Sequence, residues 1–166
     1  MSFKSVNEIY NFDFADSTIS NFKINDEYIS FELDALIIEP ENSQNENYTK
    51  SYADTVKVKF IKGKLLGGIK DGYKRYDANN KLLEDVPDEP VDIEEAKILL
   101  KSVNGAYLYA MDACHGSNES LFLYEISIEF PSKIPYDTSV TKSYRFKFNF
   151  TESVFEWNKY LNKVQC

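Results

Sequence analysis

From Tyr144 to Phe150 aromatic residues occupy every second position, with Arg145, Lys147 and Asn149 between them. Side chains of an extended chain alternate between two faces, so this segment shows one apolar and one polar face and predicts a strand laid over a core. The same period of two recurs in Phe122–Phe130 and in Ile29–Ala35. Together they predict a largely antiparallel sheet with one covered face.

Thr18–Ile24 and Glu27–Ile38 read as hairpin partners about Asn25 and Asp26, a pair suited to a two-residue turn. The stretch Glu39–Ser51, with Pro40 and almost nothing apolar, reads as a solvated connection. Extension resumes over Tyr52–Ile61, where Val56, Val58 and Phe60 share a side. Between Gly63 and Pro90 the glycines, Asn79, Asn80 and the prolines predict short strands and turns. Ala106–Asp112 is apolar on both faces and reads as an interior strand.

At Asp92 the period changes. Ile93, Ala96, Leu99, Leu100 and Val103 fall at helical spacing, Asp92 is placed to cap the first turn, and Gly105 stands just past the end, which predicts a helix near 92–103. Val154, Phe155, Trp157, Tyr160 and Leu161 also lie partly at helical spacing behind Thr151, which predicts a terminal helix near 152–163. The expected architecture is therefore one α+β domain over residues 1–166. It has a mainly antiparallel, curled sheet of about six to eight strands and two helices.

Twelve Phe and twelve Tyr in 166 residues supply ample apolar surface for a core without a disulfide or metal. The two cysteines, Cys114 and Cys166, lie far apart and do not form the spacing of a disulfide framework. A reducing cytoplasm is the expectation. Apolar runs are too short for a spanning helix, so no membrane association is expected.

The net charge of −8 is concentrated. Glu84, Asp85, Asp88, Glu89, Asp92, Glu94 and Glu95 fall in one stretch without a base, and the rest of the chain is close to neutral. Among the basic residues only Arg75 and Arg145 are arginines, the side chain that recognises phosphate by paired hydrogen bonds. Net repulsion and scarce arginine speak against a nucleic-acid partner.

Candidate chemistry is sparse. His115 is the single histidine, which excludes any site built on two imidazoles. Asp112 to Glu119 gathers a carboxylate, the Cys114 thiol, the imidazole and a second carboxylate. Neighbouring side chains of an extended chain point in opposite directions, however, so a surface turn using Gly116, Ser117 and Asn118 is the favoured reading. The glycines of Gly63–Gly68 are followed by Ile69 and Lys70 rather than by the lysine and hydroxyl of a phosphate loop. Asp34, Glu125 and Glu129 sit on polar strand faces, where solvated charge is usual, although two facing carboxylates are what a glycoside hydrolase requires. Neither catalytic residues nor a metal or cofactor are assigned.

Residues Phe12–Phe31, opening Phe-Asp-Phe-Ala-Asp-Ser-Thr-Ile, resemble the start of many small bacterial β-rich proteins, in which an aromatic, a His-Asp pair and an isoleucine precede a hairpin. Some of these look like immunity proteins of toxin systems. The likeness covers about 25 N-terminal residues. Ala15 stands where those proteins often carry histidine, so a role tied to that imidazole is absent.

The resulting expectation is a non-enzymatic interaction module of a bacterial cytoplasm. The seven acids of 84–95 would form its docking surface for a basic protein partner. The alternative is a small barrel enclosing an apolar ligand among Tyr144, Phe146, Phe148, Phe122 and Tyr124. A hydrolase using scattered carboxylates or the Cys114–His115 loop comes third.

Overall fold

The computed structural model describes residues 2–131 and 142–163. Its strands, in chain order, are β1 (Phe3–Val6), β2 (Phe12–Asp13), β3 (Thr18–Ile24), β4 (Tyr28–Asp34), β5 (Ile37–Ile38), β6 (Ser51–Ala53), β7 (Val56–Ile61) and β8 (Lys64–Lys70). They continue with β9 (Tyr73–Tyr76), β10 (Leu82–Val86), β11 (Glu89–Val91), β12 (Ala106–Ala113), β13 (Phe122–Phe130), β14 (Lys142–Phe150), β15 (Glu152–Trp157) and β16 (Tyr160–Lys163). Among the described residues there is one α-helix, α1 (Ile93–Lys101), and one 3-10 turn (Ile9–Asn11).

The alternation read from the sequence is realised in β14, where Tyr144, Phe146, Phe148 and Phe150 are buried. All pairings are antiparallel, and ten strands form one sheet in the order β1-β15-β7-β4-β3-β12-β13-β14-β8-β11. A second sheet, β16-β6-β5-β2, and the hairpin β9-β10 complete the fold.

The α+β expectation with six to eight strands and two helices is overturned: the molecule is predominantly antiparallel β with ten strands in its large sheet alone, and among the described residues α-helix is confined to α1. That helix forms as the sequence predicts. Asp92 accepts a hydrogen bond from the Glu95 N–H at 2.8 Å, and the chain beyond Ser102 turns at Gly105 with φ 85°. The segment near 152–163 instead forms β15 and β16. Its apolar residues mimic helical spacing because Val154, on the face it shares with Glu152 and Glu156, is buried, as are Phe155 and Trp157 on the opposite face. An apolar residue on the polar face and Ser153 on the apolar one blur the alternation that identifies a strand. Two further expectations shift. The extended run to Ile38 breaks at Ala35 (φ 58°), so β5 joins the small sheet. β12 is not an interior strand on both faces, because Tyr107 and Tyr109 are exposed.

The large sheet closes on itself. Only Lys62 and Gly63 separate β7 from β8, and only Thr151 separates β14 from β15. The ladder runs through this point without a break, with Asn149 opposite Lys64 and Glu152 opposite Ile61. The Thr151 N–H bridges the gap by donating to the Ile61 carbonyl at 3.0 Å. Residues 56–70 and 142–157 thus form one long bent ribbon. The pairing circuit β4–β3–β12–β13–β14–β8 continues along the chain into β7, which pairs with β4 again. Bent strands shared between two walls are how such cornered barrels are made.

Rings fill the interior. Phe60 of β7 stacks on Phe150 of β14 with centroids 4.2 Å apart, and Phe31 and Phe148 pack on Phe60 as well. Phe22 of β3 reaches Phe148. The apolar-ligand reading requires an open interior, and these side chains occupy it. Helix α1 buries Ala96 and Leu100 and packs on β8 and β3. A second group of rings, Phe3, Phe12, Phe155, Trp157 and Tyr160, joins β1 and β15 to the small sheet.

Candidate functional site

The seven acids of 84–95 do not form a uniform patch. Glu84 accepts from the Tyr73 hydroxyl at 3.2 Å and pairs with Arg75 at 3.3 Å across the β9–β10 hairpin. Asp88 accepts the Gly72 N–H at 2.6 Å and an Arg145 N–H at 3.1 Å. Asp92 caps α1, and Glu94 meets Lys97 one turn on. Glu84, Asp88 and Asp92 therefore hold the segment in place, while Glu94 makes only a local surface pair within α1. Asp85, Glu89 and Glu95 are exposed and make no ion pair among the described residues. Burial first, and then the charges of Glu95 and Glu89, push the Tyr144 hydroxyl above its ordinary range.

Arg145 fastens this segment to the barrel. It lies on the outer face of β14 and donates from Nε to Asp71 at 2.6 Å, with Asp88 and Glu125 at 3.1 and 3.6 Å. The Asp71 hydrogen bond is the main cause of a guanidinium held above its usual range, against the opposing effect of burial. Ser143 Oγ also donates to Asp71, at 3.0 Å. The Tyr109 hydroxyl lies 2.9 Å from Ser143 Oγ, and since the serine spends its proton on Asp71, the tyrosine is the donor. A continuous chain of polar contacts thus runs from β12 to the acidic segment. Sequence reasoning treated Arg145 as the solvated side of a strand, and only its rarity marked it.

A cleft of about 400 Å³ opens between the 3-10 turn with β2 on one side and β12–β13 on the other. Ile9, Phe12, Phe14 and Met111 form its buried floor. Tyr10, Tyr109 and Tyr124 supply rings, and Asp13, Glu39 and Asp112 supply carboxylates. Burial, with Tyr10 adding to it, pushes the Tyr124 hydroxyl up. Tyr10 is 75% exposed. Lys50 approaches from outside the lining and reaches Asp13 at 3.7 Å and Glu39 at 3.5 Å. Sequence analysis named Asp112 only as part of the cysteine loop and did not connect it to the other lining residues.

The remaining candidates disperse. Asp34 accepts from Thr55 Oγ1, Glu125 meets Arg145, and Glu129 lies on the outer face of β13, so these carboxylates do not share the cleft. His115 is exposed in the turn closed by Ser117 N–H donating to the Cys114 carbonyl. The Cys114 thiol is half-buried, and burial followed by Glu125 pushes it up, with Lys147 opposing; this is the reverse of nucleophile activation. Cys166 lies outside the described residues. Among the described residues no three His, Cys, Asp or Glu side chains are arranged to hold a metal ion, and no helix is long and apolar enough to cross a membrane. Comparison with protein-family models, curated proteins and solved structures finds no match for this chain.

Proposed function

We propose that this domain is a protein-binding module that attracts a basic partner through the 84–95 segment. The observation that carries this reading is a division of labour. Glu84, Asp88 and Asp92 tie the segment down, while Asp85, Glu89 and Glu95 stay exposed without an ion pair among the described residues. Negative charge on a fixed support focuses the field and accelerates encounter with a cationic protein. Neutralising a toxin, as the resemblance of residues 12–31 implies, is one form of such binding. The Cys114 thiol, free among the described residues, is compatible with a reducing bacterial cytoplasm as the setting.

The test is kinetic. A partner captured from the native cell at low salt is measured against the wild type and the triple variant D85N/E89Q/E95Q. The variant is expected to associate about ten-fold or more slowly at low salt and to lose most of its salt dependence. Equal rates and equal salt slopes would remove the reading. Asp88 and Asp92 are unsuitable substitutions, since both hold the fold.

A further inference from the structure

We propose that the cleft between the 3-10 turn and β12–β13 receives an arginine side chain of a partner protein. This rests on the protein-binding reading only for the source of the arginine. The cleft combines three features that a guanidinium uses together. Its rings, Tyr10, Tyr109 and Tyr124, offer faces on which a planar cation stacks. Its carboxylates, Asp13, Glu39 and Asp112, offer acceptors that match the forked donors. Its volume of about 400 Å³ is in the range of sites that take a small ligand.

The molecule already shows each contact separately. Lys59 Nζ sits 4.6 Å from the Tyr28 ring centroid, so a cation on tyrosine is tolerated on this surface. Lys50 holds an ammonium beside Asp13 and Glu39 from outside the lining, so these two acids accept a cation. Asp112 is exposed and makes no ion pair among the described residues, which leaves the β12 side of the cleft with uncompensated charge. Arginine is favoured over lysine because a strongly hydrated ammonium loses more on entering an aromatic cleft, while a guanidinium both stacks and forks. Tyr109, a lining residue of the cleft, is joined through Ser143, Asp71 and Arg145 to Asp88 of the acidic segment.

The test uses small probes and the full chain. N-acetyl-argininamide is titrated while the tyrosine ring and Met111 methyl resonances are followed, with N-acetyl-citrullinamide and N-acetyl-lysinamide as comparisons. Saturable shifts confined to Tyr10, Tyr109, Tyr124 and Met111 are expected for the arginine probe, and only weak, unsaturated ones for neutral citrulline. Asp112→Asn keeps the shape and removes the charge, and Tyr10→Ala removes an exposed ring; each is expected to weaken binding about three-fold or more. Lys50→Ala frees Asp13 and Glu39 and is expected to strengthen it. Binding of citrulline equal to arginine, no localised shift, or indifference to both weakening substitutions would overturn the proposal, and equal binding of the lysine probe would overturn the choice of arginine. Because the probes carry no partner, failure here leaves the salt-sensitive association at 84–95 intact. Loss of that association in turn leaves this titration unchanged.

Discussion

Glu8 is the side chain on which the polar loop closes. Its carboxylate accepts from Ser5 Oγ at 2.9 Å, from the Ser43 N–H at 2.9 Å, from Asn11 Nδ2 at 3.3 Å and from the Ser43 hydroxyl. Burial alone would raise its pKa, but hydrogen bonds from Ser43, Ser5 and Asn11 outweigh it and hold the group below the ordinary 4.5. A carboxyl lowered by folding adds stability that is complete above its unfolded value and disappears as pH falls through the lower, folded value. Glu8→Ala is therefore expected to cost about 1–2 kcal/mol at neutral pH. The gap to wild type should narrow below pH 4.5, as urea melts followed by Trp157 fluorescence would show. A constant gap across that range would refute the assignment. The Asn-rich loop behind Glu8 was legible as polar and not as ordered. Asn45 is 8% exposed and its amide donates to the carbonyls of Ile38, Glu39 and Thr49. Whether an asparagine satisfies backbone or faces water depends on chain that returns from elsewhere, and local composition is the same in both cases.

At the scale of elements the corner in the 56–70 and 142–157 ribbon decides the shape. Lys62 adopts φ 51°, and around it the buried positions change from even (Val56, Val58, Phe60) to odd (Gly63, Leu65). The partner changes parity at the same place, from Phe146, Phe148 and Phe150 to Ser153, Phe155 and Trp157. Gly63 permits the close approach. A Cβ there would lie 2.8 Å from the Phe60 carbonyl oxygen and 3.1 Å from Phe60 Cβ, and backbone cannot retreat as a flexible side chain does. Gly63→Ala is expected to destabilise by about 1–3 kcal/mol, read from the urea midpoint. An unchanged midpoint would mean that the corner has slack. This corner also explains the misread segment 152–163. Alternation was readable in β14 and α1 was readable from its cap and period, but a parity change at the corner, with Ser153 on the inner face and the buried Val154 on the other, blurs the period of two over β15.

On the scale of the whole molecule the sequence carried least, because closure and cleft are both made by segments distant along the chain. The cleft draws on residues 9–14, 39, 109–113 and 124, and Arg145 on Asp71, Asp88 and Glu125. No local pattern announces such meetings; hydrophobic period shows that rings are inside, not which wall they touch. The corner itself makes a quantitative claim. Phe60 and Phe150 stack at 4.2 Å with planes 6° apart where the ribbon bends, beside the hydrogen bond from Thr151 to Ile61. If the corner is folded as described, the two rings stabilise each other directly. Truncation to alanine would cost about 3–5 kcal/mol each, a large part of the stability of a domain, so leucine is the better probe. Phe60→Leu, Phe150→Leu and the double variant form a cycle whose expected coupling is about 0.5–1.5 kcal/mol, the range found for aromatic pairs in contact. Additivity within about 0.3–0.5 kcal/mol, the behaviour of distant sites, would show that the two rings do not pack on each other at the corner. A corner that is part of one cooperative fold also unfolds with it, so the urea slope should be the same for all four proteins.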